Sequence, residues 1–83
     1  MSTNAEKFLV EFGQKMRDLR KQKGLTQEDV AKACGFKRPY LSDIERGKRN
    51  ISARSLVMLA SFLGAKLHFS LELDRPKKAS RQT

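Results

Sequence analysis

The sequence predicts a mainly α fold: four short helices and one C-terminal β-strand that pairs across a homodimer. Three observations carry this. Apolar residues recur at helical spacing in four blocks, and each block is closed by a glycine, Gly24, Gly35, Gly47 or Gly64. A fifth block, Lys66–Leu73, alternates with period two instead. The chain has 83 residues, 39% of them hydrophobic, which suits one small domain with a core.

Each element follows from local chemistry. Thr3 and Glu6 stand in capping-box spacing, and Phe8, Phe12, Met16 and Leu19 follow as an apolar stripe. This predicts a first helix at about 5–22, stopped by Lys23-Gly24. Thr26 caps a second helix, with Glu28 and Asp29 at its positive end and Val30 and Ala31 facing inward. It ends at Cys34-Gly35. A third helix runs from about Lys37 to Arg46, with Pro39 in the first turn and Leu41 and Ile44 inward. Lys48-Arg49-Asn50 is a basic loop. Ser52 caps a fourth helix, about 53–63, whose stripe is Leu56, Leu59, Ala60 and Leu63. In the strand, over 66–73, Leu67, Phe69, Leu71 and Leu73 share one face. The domain is thus 1–74, and the basic segment 75–83 is expected to be a disordered tail.

Composition excludes several classes. One Cys (Cys34) and one His (His68) support neither a disulfide framework nor a zinc site. There is no nucleophile–base pair and no phosphate loop, so neither an enzyme nor a cofactor is expected. No signal peptide is visible, and no apolar run approaches the roughly 18 residues of a membrane span. A cytoplasmic protein is expected, nucleoid-associated when bound to DNA.

What remains is charge. Lys and Arg number 18 against 9 Asp and Glu, a net +9. Nucleic acid is the first partner this suggests, an anionic membrane surface the second. The excess is concentrated. Residues 1–26 carry six basic and three acidic side chains, 37–54 six basic against Asp43 and Glu45, and 75–83 four basic and none acidic.

Two short helices joined by a tight turn at Gly35 and followed by a basic loop form a helix-turn-helix arrangement. Arg20, Gly24-Leu25-Thr26-Gln27-Glu28, Val30-Ala31, Gly35, Tyr40-Leu41-Ser42, Ile44-Glu45 and Gly47-Lys48 together resemble the phage-repressor-like (Cro/XRE) family, over roughly residues 13–64. The resemblance implies that the third helix enters the major groove of double-stranded DNA. Base-contacting positions then fall on Lys37, Arg38, Pro39 and Ser42, with Asp43 beside them. Arg38 is the strongest reader, since its fork matches guanine O6 and N7. Phosphate-contacting positions fall on Thr26, Gln27, Tyr40, Arg46, Lys48 and Arg49. Arg20 is implied to pair with Glu45 and to be aimed at the DNA backbone. Position 37 departs from the family, which places a small hydroxyl residue there. Lys37 has no oxygen to cap the helix, a loss of about 1 kcal/mol.

A lone strand has nothing in its own chain to pair with. Two copies pairing through Leu67, Phe69, Leu71 and Leu73 resolve this, and this end resembles HipB-type antitoxins. The expected function is a sequence-specific transcriptional regulator, a repressor, acting as a homodimer on a pseudo-palindromic operator. One alternative is an antitoxin that also sequesters a HipA-like toxin. A further alternative is the controller protein of a restriction–modification system. Those proteins are usually helical to the end, so the expected strand weighs against it.

Overall fold

A computed structural model describes residues 3–68. It contains α1 (Asn4–Gln22), α2 (Gln27–Cys34), α3 (Arg38–Glu45) and α4 (Ala53–Phe62). The four expected helices are present, with ends within a residue or so of expectation.

The helix starts are set by short polar side chains. Thr3 and Glu6 form a reciprocal capping box at α1, and Thr26 and Asp29 form another at α2. The Ser52 hydroxyl accepts the Ser55 N–H at α4. Lys37 occupies the N-cap of α3 and makes no side-chain cap, as the sequence implies. Pro39 lies in that first turn, where a missing N–H is no loss.

The turn between α2 and α3 depends on Gly35, which adopts φ 74°. The Gly35 N–H reaches the Lys32 carbonyl and the Phe36 N–H the Ala31 carbonyl, a Schellman closure that a side chain at this φ would strain. Phe36 is the apolar residue that accompanies this cap. It packs on the core and meets Tyr40 edge to face, with centroids 5.1 Å apart.

The core joins all four helices: Phe12 and Met16 from α1, Val30 and Ala31 from α2, Leu41 and Ile44 from α3, Leu56, Leu59 and Ala60 from α4, and Leu63 just beyond. Phe8, one turn before Phe12, lies outside the core and is exposed, stacking on Phe12 at 5.8 Å. Cys34 is buried, and that burial pushes its thiol pKa up. It behaves as a small core residue.

Gly13 permits the approach of α1 to α3. A Cβ at this position would collide with the backbone carbonyl oxygen of Ile44 and lie 2.9 Å from that of Glu45. Residues 66–68 carry no strand in the single chain, and the rest of the strand expected over 66–73 lies outside the described residues. A strand is held by hydrogen bonds to a neighbour, and a single chain supplies none here. Leu67, expected at a dimer contact, is half-buried against the chain's own core. Phe69, Leu71, Leu73 and the tail 75–83 lie outside the described residues.

Candidate nucleic-acid interface

The helix α3 has two unlike faces. Leu41, Ile44 and Glu45 are buried, whereas Lys37, Arg38 and Pro39 are exposed and Ser42 and Asp43 half-exposed. An eight-residue helix with a buried stripe on one side presents its polar edge outward. The five residues expected to face bases all lie outside that buried stripe, with Lys37 at the N-cap before the helix. The N-terminus of α2, with Thr26 exposed and Gln27 half-buried, stands beside it.

Behind this edge lies a buried ion pair. Arg20, in the last turn of α1, donates from Nε to Glu45 Oε2 at 2.7 Å and from Nη2 to Glu45 Oε1 at 3.1 Å. Its Nη1 donates to the Leu25 carbonyl at 2.8 Å. The side chains are 9% and 3% exposed. This is the pairing that the resemblance implies. Three of its five N–H groups are engaged inside the fold, which makes Arg20 an architectural bridge, and its guanidinium also lines the cleft above the pair.

The pair is continued by Gln27. Its Nε2 donates to Glu45 Oε1 at 3.0 Å, and its Oε1 accepts from Arg38 Nη1 at 3.2 Å. Arg17, Lys21, Gln27, Ser42 and Arg46 line a cleft of about 370 Å³ over the ion pair. Arg17 is absent from the sequence expectation. The available signal was its helical spacing, since it stands three and four residues before Arg20 and Lys21 on one face of α1.

A second cluster lies at the other end of α3. Asp43 accepts from Arg46 at 3.3 Å and from Arg49 at 3.5 Å. The Arg49 guanidinium also sits over the Tyr40 ring at 5.2 Å. Asp43 was expected next to base edges, and here its carboxylate is turned to these two arginines. Among the described residues, neither Lys37 nor Lys48 enters an ion pair. At α2, Asp29 accepts the Thr26 backbone N–H at 2.9 Å, and its own N–H reaches the Thr26 hydroxyl at 3.0 Å. The first of these bonds chiefly holds the Asp29 carboxyl below its ordinary pKa. No helix among the described residues is long and apolar enough to cross a membrane.

Residues 16–69 match the model of a family described as helix-turn-helix. The chain is 44% identical over 59 residues to the HTH-type transcriptional regulator DdrOP3 of Deinococcus deserti, covering 71% of this chain and 46% of that protein. It thus spans about half the length of that relative. Among solved structures, the restriction–modification controller protein C.AhdI from Aeromonas hydrophila superposes with a TM-score of 0.66 at 45% identity, over 70% of this chain and 88% of that one. The controller protein C.Esp1396I, crystallised as a tetramer with its natural 35 base-pair operator, superposes with a TM-score of 0.66 at 31% identity, over 78% and 82%.

Proposed function

This chain belongs to the helix-turn-helix family of the Cro/XRE type, and on that premise we propose that it is a sequence-specific regulator of transcription that binds double-stranded DNA. The observation that carries this is the outward edge of α3. Arg38, Pro39 and Ser42 stand clear of the core beside the α2 N-terminus, with Arg46, Lys48 and Arg49 following at once.

In this reading α3 lies in the major groove. Lys37 and Arg38 present donors to base edges, and Arg38 takes guanine through two parallel N–H bonds, worth roughly 1–3 kcal/mol of discrimination. Pro39 offers only apolar contact. Arg46, Lys48 and Arg49 neutralise phosphates along one strand. Thr26, Gln27 and the positive end of α2 meet a phosphate on the other side of the groove. The action is binding rather than catalysis. A homodimer acting as a repressor from the cytoplasm completes the proposal. The 46%-exposed Val57 lines an apolar cleft with Ser61, Ala65 and Leu67, a surface continuous with the expected strand and suited to a second copy. Two copies related by a two-fold axis place two α3 helices about one DNA turn apart.

The controller-protein reading gains weight from the similarity to C.AhdI and C.Esp1396I. The strand expected over 66–73 weighs against it, and most of that segment lies outside the described residues. The antitoxin reading with a HipA-like toxin rests on that same strand and has no further observation in its favour.

Selection of bound duplexes from a random pool tests the proposal. A palindromic preferred site is expected, and a site with no two-fold repeat removes the dimer. Equal affinity for all duplexes at about 150 mM salt refutes sequence-specific binding altogether.

A further inference from the structure

Asp43 holds the two arginines that follow α3. Its Oδ1 accepts from Arg46 Nη2 at 3.3 Å, and its Oδ2 accepts from Arg49 Nη2 at 3.5 Å. The backbone arranges this meeting. The Lys48 N–H donates to the Asp43 carbonyl at 2.9 Å, so the loop after α3 folds back over the residue that both arginines reach. Arg49 is held on a second side by the Tyr40 ring, which itself rests on Phe36. Each guanidinium therefore meets one oxygen of a singly charged, two-oxygen anion. A phosphate diester offers the same group, two free oxygens sharing one negative charge. Asp43 thus occupies the two arginines with an internal copy of the ligand proposed for them. The hold is weak, because the Arg46 and Arg49 side chains are 59% and 49% exposed. A weak pair can be exchanged for a phosphate. Lys48, which stands between them in sequence, enters no ion pair among the described residues.

We propose that Asp43 determines specificity by competition: it withholds Arg46 and Arg49 from random duplexes and yields them only where α3 is fully seated in the groove. This rests on the proposed function in taking α3 as the DNA-facing helix. On a random duplex no base contacts fix the register, and the arginines meet the backbone through water and counter-ions that screen them. The Asp43 pairs then persist, and attraction is left to unpaired cations such as Lys48. At the matched site the base contacts set the register, and phosphates come within direct reach of both guanidinium groups. Each arginine then exchanges one anionic oxygen for another. Repulsion between Asp43 and phosphate weakens every complex, but two cations are withheld from the random ones alone. The difference between the two affinities, which is specificity, is therefore widened by Asp43.

The test uses the full chain, a duplex selected by the wild type and a random duplex of equal length, titrated over a salt series. Asp43→Asn keeps the shape of the side chain and removes its charge. It is expected to raise affinity for the random duplex about tenfold and for the matched one less than about threefold. The salt slope for the random duplex is expected to steepen by about 1–2, with that for the matched duplex unchanged. Glu11→Gln makes the same change in net charge at an exposed position on α1, where no ion pair is found among the described residues. It is expected to strengthen both duplexes alike, by less than about twofold. With Arg46 and Arg49 both replaced by Gln, Asp43→Asn is expected to act no more strongly than Glu11→Gln. Equal strengthening of both duplexes by Asp43→Asn, or a full effect without the arginines, leaves only general repulsion and overturns the inference while the proposed function stands. Loss of affinity for the matched duplex makes Asp43 a base reader and overturns it as well. A wild type that selects no site overturns both.

Discussion

Replacing Glu45 by Ala tests the buried pair on which the interface is built. The carboxylate accepts from Arg20 Nε at 2.7 Å, Arg20 Nη2 at 3.1 Å and Gln27 Nε2 at 3.0 Å. Gln27 is half-buried and can turn to water, so its loss is small. Arg20 cannot: its side chain is 9% exposed, and after the substitution only the Leu25 carbonyl remains as a partner. A buried cation stripped of its counter-ion costs about 3–5 kcal/mol. A domain of this length holds roughly 4–12 kcal/mol in total, so the variant loses a large fraction of its stability. The melting temperature is expected to fall by about 12–40 °C, at 4–8 °C per kcal/mol. Urea unfolding followed by far-UV circular dichroism measures this, with the slope unchanged if both proteins unfold in two states. Glu45→Gln keeps one acceptor oxygen and is expected to lose about half as much. The double change Arg20→Met with Glu45→Leu removes both charges and is expected within about 1 kcal/mol of wild type. A loss below about 1 kcal/mol in Glu45→Ala refutes the reasoning, because the pair would then be dispensable to the fold.

Three further outcomes are expected. Gly13→Ala, which in an exposed helix would add up to about 1 kcal/mol, should destabilise by more than about 1–3 kcal/mol because its Cβ meets the Ile44 carbonyl oxygen; a higher melting temperature would show that α1 shifts freely over α3. The Asp29 carboxyl is held below its ordinary pKa by the fold, chiefly through the Thr26 N–H, so its stabilising contribution is complete above the ordinary aspartate value and is lost as pH falls through the folded one. Asp29→Asn should therefore flatten the acid end of the stability profile, and an unchanged slope there counts against the capping box. Lys48→Ala should weaken selected and random duplexes alike and lower the salt slope by about 1, whereas Arg38→Ala should weaken the selected duplex far more; a sequence-dependent loss in Lys48→Ala, measured by fluorescence anisotropy over a salt series, would place Lys48 at a base instead.

The helices were legible because their signals are local. Thr3 and Glu6, Thr26 with its acidic first turn, and Ser52 each act within three residues, and the glycines close each helix where the chain must take a positive φ. The Arg20–Glu45 pair spans 25 residues, and nothing in periodicity reveals it. It became legible only through resemblance to a family. Gln27 was expected at a phosphate, and its bonds to Glu45 and Arg38 depend on how α2 lies across α3, which spacing does not encode. Gly13 carried no expectation at all. A glycine inside an apolar stripe looks like a weak point of the helix, and only the carbonyls of the neighbouring helix show why it is needed. Within residues 66–68 the period-two pattern marks a face, since Leu67 is half-buried and Lys66 and His68 are exposed. Alternation reports burial on one side, and strand pairing additionally requires a partner that one chain lacks.

The net charge of +9 takes on structure at this interface. A merely cationic surface attracts every phosphate backbone equally and reads nothing. Here the arginines around α3 are held: Arg38 by Gln27, and Arg46 and Arg49 by Asp43. Neither Lys37 nor Lys48 is drawn into an ion pair among the described residues. The division follows from the side chains. An ammonium on a flexible stem serves as a point charge for any phosphate, whereas a planar fork reads a base edge only when correctly aimed. If α3 faces DNA as proposed, the Asp43 carboxylate repels phosphate and yields Arg46 and Arg49 only when the contacts offered in return are better. On the proposed function, Lys48 supplies attraction to any phosphate backbone, and selectivity rests chiefly on Arg38, whose starting geometry the fold has already set.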